Sequence, residues 1–515
     1  MTDPTPRLRI AFIHPDLGIG GAERLVVDAA LGLQKLGHSV DIYTSHHDPT
    51  HCFDETRDGT LRVHNVEPPF PRAIKGKFHI LLAHLRQLHL TSRLVLSSPP
   101  SSSTPSSKSS PTIPKDNSLA KQHDVYFVDQ LSTCVPLLRL FAGRRVVFYC
   151  HFPDKLLANG EFSEDVGKMR MRGGWLKRVY RMPMDWVEEV TTRQADMILA
   201  NSNFTARVFK SYFPSIPATP RVVHPGINLS AYDMQIDRSD PDIQQISSDR
   251  PTLLSLNRFE KKKNVALAIT SFALLRKSLA ASPTSTSTSF TNSRLVIAGG
   301  YDPRVEDNMM TLVSLIDLAK SHSLSYTILT PSDSKVTIPP FNTTPSNPDI
   351  TFLLNFTTAQ RSALLTSPST LVLLYTPTNE HFGIGPVEAM ACALPVLACS
   401  SGGPVESVVQ FPASERTGWL REPEAGVWAE ALEEIVGMGA DERRELGERA
   451  RRRAREKFGM EAMARDLEGV VREAARMGEV RWGDVVGWGM GEGTALMALV
   501  VILIAAFVAR DAGIM

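Results

Sequence analysis

Cysteine is scarce in this 515-residue chain: Cys52, Cys134, Cys150, Cys392 and Cys399 are odd in number and lack the close spacing of metal ligands. That excludes a disulfide-stapled scaffold and a zinc cluster, and it fits reducing surroundings. An excess of charge of one sign is missing too, because 56 lysines and arginines face 55 aspartates and glutamates. Nothing in that balance favours a nucleic-acid partner. A secretory leader is not apparent either, since MTDPTPRLRIAFIHPD passes from a polar segment straight into a short strand-like run. What the chain does have is 43% hydrophobic residues over a length that supports two or more separate cores.

One long apolar run stands out, TALMALVVILIAAFVA at 494–509, uncharged until Arg510 and Asp511. Its 16 residues fall short of the roughly 20 that span a bilayer as a helix. Membrane attachment is the expectation for it, with a buried terminal helix as the alternative. A polar, glycine-rich linker at 476–493 precedes it.

Strand and helix signals alternate through the rest. LRIAFIH at 8–14, a glycine-rich turn, the periodic RLVVDAALGLQKLG and SVDIYT at 39–44 open a mostly parallel α/β sheet. VYFV at 125–128, RVVFYC at 145–150, DMILA at 196–200 and RVVH at 221–224 continue it. Serine, proline and threonine dominate an insertion near 97–118, which has little capacity to form a core. After the polar stretch 237–250 the pattern restarts: TLLSLN, RLVIAGG, SYTILT, ITFLL, TLVLLY and LPVLACS are further strand candidates. The expected organisation is therefore an N-terminal domain over 1–236, a linker at 237–250 and a second α/β domain over 251–475. A charged helix at roughly 439–475 ends the second domain, and periodicity leaves open whether it crosses back to the first.

Ligands of open α/β sheets collect beyond the carboxyl ends of the strands, so residues there carry most information. Gly18-Ile-Gly20-Gly21 is a permissive turn before a helix, able to bring amides to a phosphate or sugar oxygen, or simply to pack closely. It departs from G-x-G-x-x-G, so a nicotinamide fingerprint is weak. Arg258 and Lys263 follow TLLSLN; together they suit a diphosphate, although Lys261 and Lys262 also allow a merely solvated basic run. His14 and His151 stand at two strand ends, where a histidine donates to a sugar oxygen or bonds a backbone carbonyl. E380-H-F-G-I-G-P-V-E388 follows the apolar run at 371–375. Glu380 suits sugar hydroxyls, Glu388 suits either a ribose or the helix N-terminus, and the amides of Gly383, Ile384 and Gly385 suit a diphosphate. No carboxylate cluster demands a divalent metal.

With these motifs the chain resembles the retaining nucleotide-sugar transferases of glycosyltransferase family 4 over about 8–475. The resemblance implies the GT-B fold, two Rossmann-like domains facing across a cleft. It implies a phosphate-binding pair at Arg258 and Lys263, the two family glutamates at Glu380 and Glu388, and a histidine close to the donor sugar at His151. Within the family, HPDLGIGGAERLVVDAA at 14–30, HHDPTHCFDET at 46–56 and YCHFPDKLLA at 149–158 look like the dolichol-pathway mannosyltransferases that add the second and third mannoses. That likeness implies GDP-mannose as donor with no tightly bound cofactor. It also implies a dolichyl-diphosphate-linked mannosyl-chitobiose acceptor, sites facing the cytosol at the endoplasmic reticulum membrane, and other mannosyltransferases of the pathway as partners. EHFGIG with Gly385 also resembles the later α-1,2-mannosyltransferase of that pathway. A non-enzymatic membrane scaffold is the alternative of a different class.

Overall fold

The computed structural model describes residues 6–74, 77–96, 122–153, 175–232, 236–281, 290–336, 347–481 and 484. The insertion near 97–118 and the apolar run 494–509 lie outside the described residues. Two compact units share the chain, one built from residues up to Gly226 and again from Met460, the other from Ile227 to Gly459.

In the first unit seven parallel strands run in the order β3-β2-β1-β4-β5-β6-β7. They are β1 (Arg9–His14), β2 (Ser39–Thr44), β3 (Arg62–Asn65), β4 (Val125–Asp129), β5 (Arg145–Cys150), β6 (Met197–Ala200) and β7 (Arg221–Val222). Ile10, Phe12, Phe127, Val147 and Tyr149 send one face of the sheet against the helices Gly21–Lys35 and Met460–Arg476. Those helices meet so closely at Gly32 that a Cβ there would stand 2.6 Å from the Cβ of Ala464. The opposite face covers Leu90 and Leu94 of the helix His79–Leu96, with Phe209 and Phe213 beside them. Burial on both faces explains why the central strands read as continuous apolar runs rather than alternating ones.

The second unit repeats the plan with β8 (Thr252–Leu256), β9 (Arg294–Gly299), β10 (Tyr326–Leu329), β11 (Ile350–Leu354), β12 (Thr370–Tyr375), β13 (Val396–Cys399) and β14 (Gly418–Arg421). These are parallel in the order β10-β11-β9-β8-β12-β13-β14. Phe272, Trp419, Trp428 and Leu432 fill one side, and Val387, Met390, Ala450 and Phe458 the other. Residues 237–250 carry a short helix, Pro241–Ile246, whose Ile243 and Ile246 are buried. The charged stretch 439–475 is two helices and not one: Ala440–Phe458 packs in the second unit, Gly459 breaks the run, and Met460–Arg476 belongs to the first.

Strand order reverses between β1 and β4 in one unit and between β8 and β12 in the other. Crossover helices diverge to opposite faces at such a switch point and leave a crevice beyond the carboxyl ends of the strands.

Candidate functional site

In the second unit, the segments that leave β8 and β12 at the switch point meet. After β8 the chain makes a short turn over Lys261–Lys263, which Asn264 closes with a left-handed φ of 50°. The three lysines part company here. Lys262 points outward to Glu260 at 3.1 Å, while Lys263 turns in and places Nζ 2.6 Å from Oε2 of Glu380. Thr376, just beyond β12, donates its hydroxyl to the Lys263 carbonyl at 2.7 Å, which fixes the base of that side chain. Arg258 is 67% exposed and pairs with Glu260 at 3.7 Å, so most of its guanidinium donors face solvent. Immediately beside it Gly299 ends β9, and a Cβ there would stand 1.8 Å from the Asn257 carbonyl oxygen.

Glu380 is half-buried and held by several groups. Burial alone would push its carboxyl up, but the charge and hydrogen bond of Lys263, with His381 and Lys262 behind them, hold it below the ordinary value. Tyr375, the last residue of β12, lies beneath: burial first, then the charge of Glu380 and a hydrogen bond to it, push its phenol well up. The ring also explains the glycines of the turn. A Cβ on Gly383 or on Gly385 would stand 3.2 Å from the Tyr375 ring, and Gly383 has a φ of 84° as the residue that opens the helix Ile384–Ala391. The amides of Ile384 and Gly385 therefore lie in the free first turn of that helix, over an aromatic floor.

Glu388 is not the helix cap. It sits in the second turn, the cap position is Gly383, and no side chain caps this end. Instead Glu388 Oε1 accepts from the Tyr232 hydroxyl at 2.5 Å and from Arg361 at 2.9 Å. The Arg361 guanidinium lies 5.5 Å from the centre of the Tyr232 ring.

Sequence reasoning did not find the loop that supports Glu380. Ser401 accepts from the Asn379 amide at 3.0 Å, and the Gly403 amide donates to the Glu380 carbonyl at 2.7 Å. Gly402, with a φ of 69°, and Gly403 lie flat against residues 379–382; a Cβ on Gly403 would stand 2.2 Å from Cα of Phe382. The signal was the pair of glycines after β13 in S400-S401-G402-G403-P404, at another strand end.

The remaining predicted residues belong to the first unit, again at its switch point. His14 ends β1, Asp129 ends β4 and His151 follows β5. Asp129 is 1% exposed and joins both histidines: Oδ1 is 2.7 Å from His14 Nδ1, and Oδ2 is 2.9 Å from His151 Nε2. Burial would raise the Asp129 carboxyl, but the two histidines hold it below its ordinary value. Burial would lower His14, but the charge and hydrogen bond of Asp129, and then Glu23, raise it. Gly20 precedes the helix Gly21–Lys35, and a Cβ on it would stand 2.2 Å from the Glu23 carboxylate. Nothing lies within 4 Å of the same position on Gly21. Gly20 is thus crowded by the end of the flexible Glu23 side chain, whereas Gly21 faces open space.

Two doubly wound parallel-sheet units, each with polar residues at its switch point, make up the GT-B fold. Sucrose-phosphate synthase from Thermosynechococcus elongatus has this fold, with a TM-score of 0.61 at 18% identity over 92% of this chain and all of that one. Residues 19–231 match the family described as Glycosyltransferase Family 4, and residues 346–453 match Glycosyl transferases group 1. More narrowly, the chain belongs to the family of the α-1,3/1,6-mannosyltransferases called ALG2. The Rhizomucor pusillus protein of that name is 44% identical over 468 residues, covering 90% of this chain and 92% of its own. The Neurospora crassa protein is 39% identical over 523 residues, 99% of this chain and 97% of its own.

Proposed function

We propose that this chain is a retaining mannosyltransferase that uses GDP-mannose to extend dolichyl-diphosphate-linked Man1GlcNAc2, first by an α-1,3 and then by an α-1,6 mannose, in N-glycan precursor synthesis. Its kinship with the α-1,3/1,6-mannosyltransferases over nine-tenths of its length carries the reading. Kinship over that length also outweighs the six-residue likeness of EHFGIG to the α-1,2 enzyme.

The charges at the second switch point support particular roles. Lys263 and Arg258 stabilise the departing GDP, and the amides of Gly383, Ile384 and Gly385 cradle its diphosphate. Glu380 positions the mannose and Glu388 holds the ribose. Gly20 and Gly21 serve as further donor contacts, with Gly21 the more accessible of the two. His151 supports the reacting sugar. The diphosphate leaves from the face on which the acceptor hydroxyl attacks, and its oxygen takes the acceptor's proton. In this scheme the Lys263–Glu380 pair exchanges partners on donor binding, lysine for phosphate and glutamate for sugar.

The reading sets the protein at the endoplasmic reticulum membrane with its sites facing the cytosol, near other mannosyltransferases of the pathway. Among the described residues no helix is long and apolar enough to cross a membrane. Residues 494–509 are assigned the membrane attachment, which raises the chance of meeting a lipid-linked acceptor. The test is an assay of purified full-length protein with GDP-mannose and lipid-linked mannosyl-chitobiose, followed by linkage analysis. Sequential α-1,3 and α-1,6 products are expected; transfer only to a trimannosyl acceptor, through an α-1,2 link, would overturn the reading.

A further inference from the structure

Asp129, which no motif marked, lies where three adjacent parallel strands end, and each of its two oxygens is taken by a different histidine. An ionised carboxylate only accepts hydrogen bonds, so the ring nitrogens that face it, His14 Nδ1 and His151 Nε2, both carry hydrogen. A single carboxylate offsets one positive charge. His14 is the ring drawn toward it by two acids, against the effect of burial, with Asp129 Oδ1 at 2.7 Å and Glu23 Oε1 4.0 Å from its other nitrogen. His151 donates its Nε2–H inward to the same carboxylate. Its Nδ1 has no partner among the described residues, and the side chain is 20% exposed.

Two further contacts bear on the placement of His151. The Tyr149 ring stands edge-on at 5.1 Å, itself pinned by its hydroxyl to the Val223 carbonyl at 2.8 Å. Asn201 donates to the His151 carbonyl at 2.9 Å and fixes the backbone from which the ring projects. Such outer contacts select the tautomer and aim of a working histidine.

We infer that Asp129 is a positioning residue that locks His151 as its Nε2–H tautomer, so that Nδ1 presents a lone pair and accepts a hydrogen bond from a hydroxyl of the reacting sugar. This rests on the reading that His151 supports that sugar. The direction of the bond is the new element: His151 is an acceptor there, not a donor.

Asp129→Asn offers an amide N–H to Nε2, which drives the ring proton to Nδ1 and turns the outward nitrogen into a donor. The same exchange in serine-protease triads costs about 10⁴-fold in turnover. A side chain that only orients, in a site with other contacts to the sugar, is expected to cost less: about 100-fold in kcat at nearly constant KM for GDP-mannose. The asparagine side chain reaches about as far as Nδ1 and the glutamine side chain as far as Nε2. His151→Asn therefore retains activity within about tenfold, while His151→Gln loses about 100-fold or more. Asp129→Asn adds nothing on top of His151→Asn, because the tautomer it would upset is gone.

The measurements are steady-state transfer by full-length variants and the ¹⁵N side-chain resonances of histidine-labelled wild-type protein, where His151 is expected with hydrogen on Nε2 alone. If His151→Gln slows transfer and Asp129→Asn does not, the inference is wrong. If His151→Gln transfers at the wild-type rate, the placement of His151 at the sugar is wrong. Should Asp129→Asn fail to fold, the wild-type resonances decide, and hydrogen on Nδ1 overturns the inference.

Discussion

Lys263 and Glu380, 117 residues apart in sequence, form a 2.6 Å ion pair at the carboxyl ends of neighbouring strands β8 and β12. Removing one partner leaves the other half-buried and unbalanced, which costs more than removing both. Lys263→Gln should lower mannosyl transfer by about 10² to 10³-fold, the usual scale for a group that meets charge developed in the transition state. Thermal unfolding of both single variants and the double variant checks the pairing: Lys263→Gln is expected to melt lower than Lys263→Gln/Glu380→Gln. Strict additivity of the two shifts would show that the pair is not coupled.

The same pair sets a pH dependence. The folded Glu380 carboxyl lies below the ordinary value of 4.5, so the folded state holds the charge more readily than the unfolded chain does. Stability from the pair is complete above that ordinary value and drains away as pH falls through the lower folded value. The gap in melting temperature between wild type and Glu380→Gln is therefore widest near neutrality and narrows in acid. A gap unchanged between about pH 6 and about pH 3 would rule out this linkage.

Tyr232 donates to Glu388 and lies beside the Arg361 that shares the same carboxylate oxygen, so on the proposed reading it bears on donor binding and not on chemistry. Tyr232→Phe should weaken GDP binding by about tenfold, the worth of a hydrogen bond to a charged acceptor. Transfer at saturating donor is expected to stay within about twofold, since a contact equal in ground and transition states affects KM and not kcat. Calorimetric titration with GDP measures the first quantity, and unchanged affinity would remove Tyr232 from the site.

Gly403 has no room for a side chain. The Cβ of Gly403→Ala would overlap Phe382 backbone atoms on the residues that carry Glu380. A loss of about 1–3 kcal/mol is expected, together with loss of transfer, because the strain falls on the loop that carries Glu380, the residue proposed to position the sugar. Gly21→Ala, with open space around it, should leave the melting temperature unchanged. Equal melting temperatures for Gly403→Ala and wild type would contradict the close approach.

Much of the fold was legible because buried parallel strands leave continuous apolar runs: LRIAFIH becomes β1 and TLVLLY becomes β12. RVHN at 62–65 and GWLR at 418–421 were missed, being four-residue edge strands whose partners, not their composition, make them strands. At the candidate site, spacing left the three lysines 261–263 undivided and only the family resemblance singled out Lys263, whereas the fold shows that this lysine turns inward to Glu380. Asp129, Tyr232 and Gly403 escaped because their importance lies in partners 22 to 156 residues away, a separation that periodicity and spacing do not encode.

The packing of Met463, Leu467, Val470 and Val471 into the core beneath β1, β4 and β5 has a temporal consequence. A ribosome releases residues 1–226 long before it makes the helix that completes their hydrophobic interior. The second unit, continuous in sequence, is whole by Gly459 and is free to fold first; the N-terminal half waits, its apolar face in need of protection, until the helix Met460–Arg476 emerges. A fragment cut at Gly226 should for that reason be a client of chaperones and not an independent domain.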